Sequence, residues 1–314
     1  MKAATKAFWQ SKSTLFWLFP ILSLLPRYLE FMFNTKAAPL TLACFGIYRT
    51  AAMHWLSGLP LYNGTGFGFV YFPQSAIVLI PFTWLPSLLA SVLYNAISLG
   101  VLAYGVICLC QLLNKKIQLQ GYFCACLIVA VMAQGPILES QMHVLTTGIL
   151  LIGLTRLYHQ QYWQSALLFV LALMLKPTSL ILFLLVLPLY RQLTFKMLFL
   201  LALALLLPFI CQSPTYAWHQ YIGCINSFKA SMLSDAGNTV GWANFGEVWW
   251  GLSAIKLSGF VAFSLNFVMA LIVLSLCCLS RCILSNKMTI IFVFALGMTY
   301  LMLFNSRTEN NDYI

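Results

Sequence analysis

Lys176 lies where a charged side chain is costly. It follows "LFVLALML" and precedes Pro177, within an apolar run at about residues 164–190. A lysine deep in such a run costs ~2.5–3.5 kcal/mol on insertion scales, unless it has a partner or faces a water-filled cleft. The alternative is a side chain that reaches the interface from a break in the helix. If Lys176 has a partner or faces a water-filled cleft, it is a candidate for contact with an anion.

Carboxylates that could accept a proton are scarce, because the chain has only six acidic residues. Glu139 lies in "PILESQMH" beside an apolar run, where a charge indicates either a function or an ion pair. Glu247 precedes two tryptophans, in an interfacial context that suits either ligand binding or simple solvation. Glu309 belongs to the terminal polar cluster "SRTENND". The remaining acids are Glu30, Asp235 and Asp312.

The composition predicts an integral, multi-pass membrane protein. Of 314 residues, 61% are hydrophobic and 7% are charged, whereas a soluble domain carries about a quarter charged residues. The net charge of +11 does not indicate a nucleic-acid partner, because the Lys and Arg residues are scattered between apolar runs. We expect no cofactor, and no metal, since no carboxylate pair has metal-binding spacing.

Apolar runs bounded by charges, Pro and Gly predict an all-α helix bundle of about nine transmembrane spans in a single domain. The runs fall at about 14–33, 71–87, 88–112, 121–134, 141–158, 164–190, 196–212, 257–280 and 288–304. The distribution of Lys and Arg places the two long polar intervals, 34–70 and 213–256, on the outer side. An alternative topology joins 71–112 into one crossing and divides 164–190 at Lys176.

The first outer interval contains "YRTAAMHWLSG". Helical spacing puts Ala51, Trp55 and Leu56 on one face of this segment, and Arg49, Thr50 and His54 near the other. Gly58 is placed to end such a helix. We therefore predict a short helix in the membrane interface, although a plain connecting helix would have the same composition.

Six pieces of the sequence, in this order, carry a family resemblance. They are "FGIYRTAAMHWLSGLPLY", "VYFPQSAIVLIPFTWLP", "GPILESQMHVLTTGILL", "SALLFVLALMLKPTSLILFLLVLPL", "NTVGWANFGEVWWGL" and "FNSRTENNDYI". With them the chain resembles the polyprenyl-phosphate-sugar-dependent membrane glycosyltransferases of family eighty-seven. That family is part of the GT-C superfamily and includes mannosyltransferases that act on lipid-linked acceptors.

The resemblance implies a helix bundle with a lipid-accessible cleft on the outer side. Its activity would be that of a hexosyltransferase of the mannosyltransferase type. Such an enzyme moves a sugar from a polyprenyl-phosphate carrier to a lipid or glycan acceptor on the outer face of the membrane. The acceptor hydroxyl needs a positioned base to take its proton. The carrier phosphate leaves as an anion, which cationic or hydroxyl side chains must face.

The chain departs from the family where the resemblance implies the catalytic base. The family pattern is an Asp followed four residues later by a Tyr, and here Cys44 and Tyr48 hold those positions. A thiol near the bilayer is a poor substitute, since burial in apolar surroundings raises its pKa. Cys44 marks the expected catalytic position, and Glu309 or Glu247 would supply the carboxylate in its place.

The resemblance also implies a set of residues that bind the donor. Positive charges would contact the carrier phosphate, and tyrosines would stack on the sugar or donate hydrogen bonds to it. The candidates are Tyr48, Arg49, Tyr62, Tyr71, Lys176 and Arg307.

Two other functions stay open at this point. A transporter or flippase would pair ionisable residues deep within its spans and show repeat symmetry between its halves. A non-catalytic remnant of the glycosyltransferase would account for Cys44, and also for a chain that ends soon after "FNSRTENN", where similar proteins continue with further spans. We expect the chain to be shortened at its C-terminus.

Overall fold

A computed structural model of the chain describes residues 43–63, 68–113, 119–132, 136–137, 139–237 and 259–304. Every regular element within these ranges is helical, which confirms the predicted all-α class. The α-helices are α1 (Ala43–Leu56), α2 (Pro73–Val78), α3 (Ser87–Leu113), α4 (Leu119–Met132), α5 (Met142–Tyr158), α6 (Tyr162–Leu175), α7 (Leu180–Val186), α8 (Arg191–Cys211), α9 (Pro214–Gly237), α10 (Gly259–Ile283) and α11 (Asn286–Phe304).

Within the described ranges, two helices, α3 and α8, are long and apolar enough to cross a membrane. Their 27 and 21 residues correspond to about 40 and 32 Å, against a hydrocarbon core of ~30 Å. The shorter apolar helices are Met142–Tyr158, Tyr162–Leu175, Pro177–Leu189, Phe267–Ile283 and Asn286–Leu301. These helices indicate a membrane protein, and the count of nine spans stays a prediction.

The segment 71–87, which we expected to form one span, consists of two short helices. It contains the six-residue α2 and a five-residue 3₁₀-helix at Ile80–Trp84, and α3 begins only at Ser87. Pro81 lies at the start of the 3₁₀-helix, and Pro86 precedes α3. Prolines end or begin helices because they lack the backbone N–H. The apolar run therefore does not translate into a continuous helix.

The apolar run at about 164–190 is also interrupted, at Lys176. Helix α6 ends at Leu175, and Lys176 adopts an extended conformation with φ −139° and ψ 116° before a 3₁₀ turn at Pro177–Ser179. The residue before a proline avoids the α-helical region for steric reasons, which explains the break. The division that the alternative topology required at this residue is thus present as a break between two helices.

The residues form two compact units, which we describe separately. The first unit includes the chain up to Pro60 and Ser75–Thr155. The second unit includes Leu61–Gln74 and the chain from Arg156 to Tyr313.

Helices α3 and α5 of the first unit approach closely where each carries a glycine. A Cβ atom added to Gly148 would lie 2.6 Å from the Leu102 nitrogen, and one added to Gly105 would lie 2.8 Å from the Gly148 carbonyl oxygen. Both distances are far shorter than van der Waals contact. Small residues allow the backbones of neighbouring membrane helices to approach in this way.

We expect Gly148→Ala to lower the thermal midpoint of the protein in mild detergent. Alanine stabilises a helix by ~1 kcal/mol over glycine, but overpacking costs ~1–3 kcal/mol, and the atoms it would strike belong to the backbone of α3. Gly100→Ala is the matched control, because nothing lies within 4 Å of a Cβ at that position. Equal midpoints for the two variants would contradict the close approach of α3 and α5.

Candidate functional site

Helix α1 presents one buried face and ends as the sequence predicts. Ala51 and Trp55 are 3% and 1% exposed, whereas His54 is half-buried on another face. Gly58 has φ +68°, a left-handed conformation that glycine adopts without strain. Its N–H donates to the Trp55 carbonyl at 3.3 Å, and the N–H of Leu59 donates to the His54 carbonyl at 2.9 Å. This pair of hydrogen bonds is a Schellman motif, so the predicted helix, its buried Ala51 and Trp55 and its cap are confirmed. Leu56, which we expected on the same face, is 50% exposed, and the position of the helix in the membrane interface stays a prediction.

Tyr48 joins α1 to the beginning of α5. Its hydroxyl oxygen accepts a hydrogen bond from the backbone N–H of Met142 at 3.3 Å. The Tyr94 hydroxyl, on α3, lies 3.3 Å from the Met142 sulfur, and the two tyrosine rings pack with centroids 6.4 Å apart. The first N–H groups of a helix have no partner within the helix. Tyr48 supplies one of these partners from another element.

A tight turn precedes α5. The N–H of Gln141 donates to the Pro136 carbonyl at 2.8 Å, and the N–H of Ser140 donates to the Ile137 carbonyl at 3.1 Å. Ser140 is 1% exposed and has φ +54°, which is uncommon for a residue with a side chain. The Asn95 amide holds it by donating to the Ser140 hydroxyl at 3.0 Å.

The two residues on either side of Ser140 form a polar pair. The Nε2 atom of Gln141 donates a hydrogen bond to Oε2 of Glu139. A carboxylate only accepts hydrogen bonds, so the amide nitrogen of Gln141 must be the atom that faces it. The Glu139 side chain is exposed, whereas Gln141 is 5% exposed. The Oε1 atom of Gln141 is buried and has no hydrogen-bond partner among the described residues.

Comparison with known proteins assigns the chain to a family. The model of glycosyltransferase family 87 matches residues 69–306, which is more than half of the chain. The chain belongs to glycosyltransferase family 87. No curated protein matches it, and no solved structure does.

The matched residues of this family 87 glycosyltransferase include the Glu139–Gln141 turn, Lys176 and Tyr71, but they begin after α1. Cys44 and Tyr48 therefore lie before the match. Cys44 is half-buried in the first turns of α1, and Tyr48 follows it by four residues, which places the two on the same side of the helix.

Arg49 holds the end of a neighbouring element. Its guanidinium donates to three carbonyl oxygens, those of Phe82 at 3.4 Å, Thr83 at 3.2 Å and Leu85 at 3.0 Å. These carbonyls close the 3₁₀-helix at Ile80–Trp84, whose last carbonyl groups have no helical partner. The structure thus gives Arg49 a structural contact, and its predicted contact with a donor phosphate stays a prediction.

Tyr62 and Tyr71 belong to the second unit, in a loop that packs on α9. The Tyr62 hydroxyl donates to the Tyr71 carbonyl at 2.7 Å. Burial, together with the nearby Cys224 thiol, raises the pKa of Tyr62 well above its usual range, so the phenol stays protonated and remains a donor. Helix α9 carries Gly223 opposite the ring, where a Cβ would lie 2.9 Å from Tyr62 Cδ2. The Tyr62 hydroxyl therefore helps to hold the loop.

Lys176 is 7% exposed at the break between α6 and the 3₁₀ turn in the second unit. Its backbone N–H donates to the Ala172 carbonyl at 2.8 Å, and its carbonyl accepts from the N–H of Ser179 at 3.0 Å. The charge is thus removed from bulk solvent within an apolar part of the chain, as the sequence predicts.

Other predicted site residues lie outside the described ranges. Glu247, Glu309 and Arg307 are among them, so their roles stay predictions. Among the residues that are described, no group of three or more His, Cys, Asp and Glu side chains could hold a metal ion.

Sequence reasoning missed the turn before α5 as a site. Asn95, Ser140 and Gln141 carry the polar contacts there, and none of them was a candidate. A signal is nevertheless present, because three polar residues, Glu-Ser-Gln, interrupt an apolar context directly before a helix.

We expect Arg49→Lys to destabilise the protein, because a single ammonium group cannot reach three carbonyls that a planar guanidinium bonds at once. Hydrogen bonds from a charged group contribute roughly 1.5–3 kcal/mol, so the thermal midpoint in detergent should fall. Arg191→Lys is the matched control, because Arg191 is exposed and its guanidinium lies over the Phe195 ring at 5.9 Å. Equal losses in the two variants would show that the three carbonyl contacts contribute nothing.

Proposed function

We propose that this family 87 glycosyltransferase moves a hexose, of the mannose type, from a polyprenyl-phosphate carrier to a hydroxyl of a lipid or glycan acceptor. The reaction would take place on the outer face of a bacterial inner membrane, which the chain spans several times. The observation that carries the proposal is the family match over residues 69–306. Apolar helices of membrane-spanning length support it, because a polyprenyl chain can reach its site only through the bilayer.

The chemistry sets two requirements on the site. The acceptor hydroxyl attacks the anomeric carbon and must lose its proton, which a positioned base accepts. The bond between the sugar and the carrier phosphate breaks, and the phosphate keeps the electron pair, so nearby positive charge lowers the barrier. Candidates for the first role are the region of Cys44 and the carboxylates Glu247 and Glu309.

Lys176 is the described residue that we propose to supply positive charge to the leaving phosphate. A buried ammonium group interacts more strongly with an anion than an exposed one, because the local dielectric is lower. Lys176 lies at a break between two helices, where the chain can admit a polar group. The other residues that we propose as contacts of the donor are Arg307, Tyr48, Arg49, Tyr62 and Tyr71.

Transfer of label tests the function directly. Membranes that contain the full chain receive radiolabelled polyprenyl-phosphate mannose as donor and octyl mannoside as acceptor, beside membranes of the same host without the chain. Label should pass to the octyl mannoside only where the chain is present. Equal labelling of the two preparations would contradict the glycosyltransferase activity.

We expect Lys176→Met to weaken binding of the labelled donor to the detergent-solubilised protein by about 10- to 100-fold. This range corresponds to the loss of a charge-assisted contact of roughly 1.5–3 kcal/mol. Lys229→Met is the matched control, because Lys229 is exposed on α9 and should keep its affinity for the donor. Unchanged affinity in Lys176→Met would remove this lysine from the donor site.

A further inference from the structure

A carboxylate lies three residues before the helix that Tyr48 of α1 contacts. Tyr48 accepts a hydrogen bond from the Met142 N–H, and Glu139 precedes Met142 by only three residues. All three residues belong to the first unit. Cys44 is one helical turn before Tyr48 on α1. Tyr48, one turn after the position where the resemblance implies the base, thus contacts the helix that begins three residues after Glu139.

The Glu139 side chain is exposed but oriented. Gln141 donates its amide N–H to the Glu139 carboxylate, which orients the group, and the side chain as a whole is exposed. A general base needs this combination of access and orientation, since it must meet the hydroxyl at hydrogen-bond distance.

Gln141 supplies a second, independent feature that points to a ligand. Its side chain is 5% exposed, and its Oε1 atom has no hydrogen-bond partner in the part of the chain that the structure describes. A buried acceptor that is left unsatisfied destabilises the folded protein. A hydroxyl group of a bound molecule would satisfy it. The turn therefore offers two acceptors, a carboxylate and an amide oxygen, to a ligand rich in hydroxyl groups.

The backbone of the turn is held in an unusual conformation. Ser140 adopts φ +54° between the two residues of the pair, and Asn95 of α3 bonds its hydroxyl. A left-handed conformation in a residue other than glycine is unfavourable and persists where the surroundings impose it. Here it fixes the relative positions of Glu139 and Gln141.

We propose that Glu139 is the general base of the transfer and that Gln141 positions it and accepts a hydrogen bond from the acceptor sugar. This inference rests on the proposed glycosyltransferase function. The acceptor oxygen forms a bond to the anomeric carbon while the bond from that carbon to the phosphate oxygen breaks. The hydroxyl proton goes to the Glu139 carboxylate and then to water, and the polyprenyl phosphate leaves with the electron pair.

Glu139→Gln tests the proposal, because it keeps the shape of the side chain and removes the proton acceptor. We expect transfer from polyprenyl-phosphate mannose to octyl mannoside to fall by about 10²–10⁴-fold, while the affinity for the donor stays unchanged. Glu139→Asp, which keeps a carboxylate on a shorter side chain, should retain part of the activity. Asp235→Asn is the control acid and should leave transfer unchanged.

A loss of donor affinity in Glu139→Gln that parallels the loss of transfer would indicate a structural role and overturn the proposal. Gln141→Leu adds a separate readout. It should raise the KM for octyl mannoside, since it removes the amide oxygen, and the KM for the donor should not change. An unchanged KM for octyl mannoside would overturn the role of Gln141.

The two proposals fail in different ways. Transfer that the wild type performs and Glu139→Gln retains would overturn the inference alone. A gain of about 10²–10⁴-fold in Cys44→Asp would also overturn it alone, because it would show that the wild type lacks a base. Absence of transfer in the wild type and in Cys44→Asp would overturn the glycosyltransferase function, and the inference with it.

Discussion

A membrane leaves backbone N–H and C=O groups without water as a partner, and this constraint determines where the chain can be irregular. Within the described ranges the chain satisfies this constraint by forming helices, in which backbone N–H and C=O groups bond to one another. At the ends of helices it uses side chains, such as Arg49 on three carbonyls and Tyr48 on the first N–H of α5. Irregular backbone persists at Lys176 and before α5, and in both places local hydrogen bonds replace the helical ones.

The two residues for which we propose roles in the transfer, Lys176 and Glu139, lie at the same two places. Lys176 follows a helix that ends before a proline, and Glu139 lies in a turn that precedes a helix. A break in a helix frees backbone groups and opens space for polar side chains, which an unbroken apolar helix does not offer. In a chain with 7% charged residues, the positions of these breaks therefore limit where chemistry can occur.

Sequence patterns predicted those elements whose structure depends on residues close to one another in the sequence. Helix α1, its buried Trp55 face and its Gly58 cap follow from helical spacing and from the conformational freedom of glycine. The two short helices in 71–87 were not predicted, because hydropathy alone does not register the prolines that divide an apolar run. The Glu139–Gln141 pair was missed for another reason. It depends on a left-handed Ser140 that Asn95 holds from another helix, and sequence spacing does not report such a contact.

The glycine contact between α3 and α5 has a mechanical consequence for this turn. Gly148 follows Met142 by six residues, about 9 Å along the helix, and Gly105 follows Asn95 by ten, about 15 Å. Backbone atoms touch at the glycines, so no side chain there can change rotamer to let the helices slide. The two helices can therefore tilt about this contact but cannot slide past each other there. Because Met142 lies only about 9 Å along the helix from this contact, a small tilt of α5 displaces it little. The turn therefore keeps its position relative to Asn95.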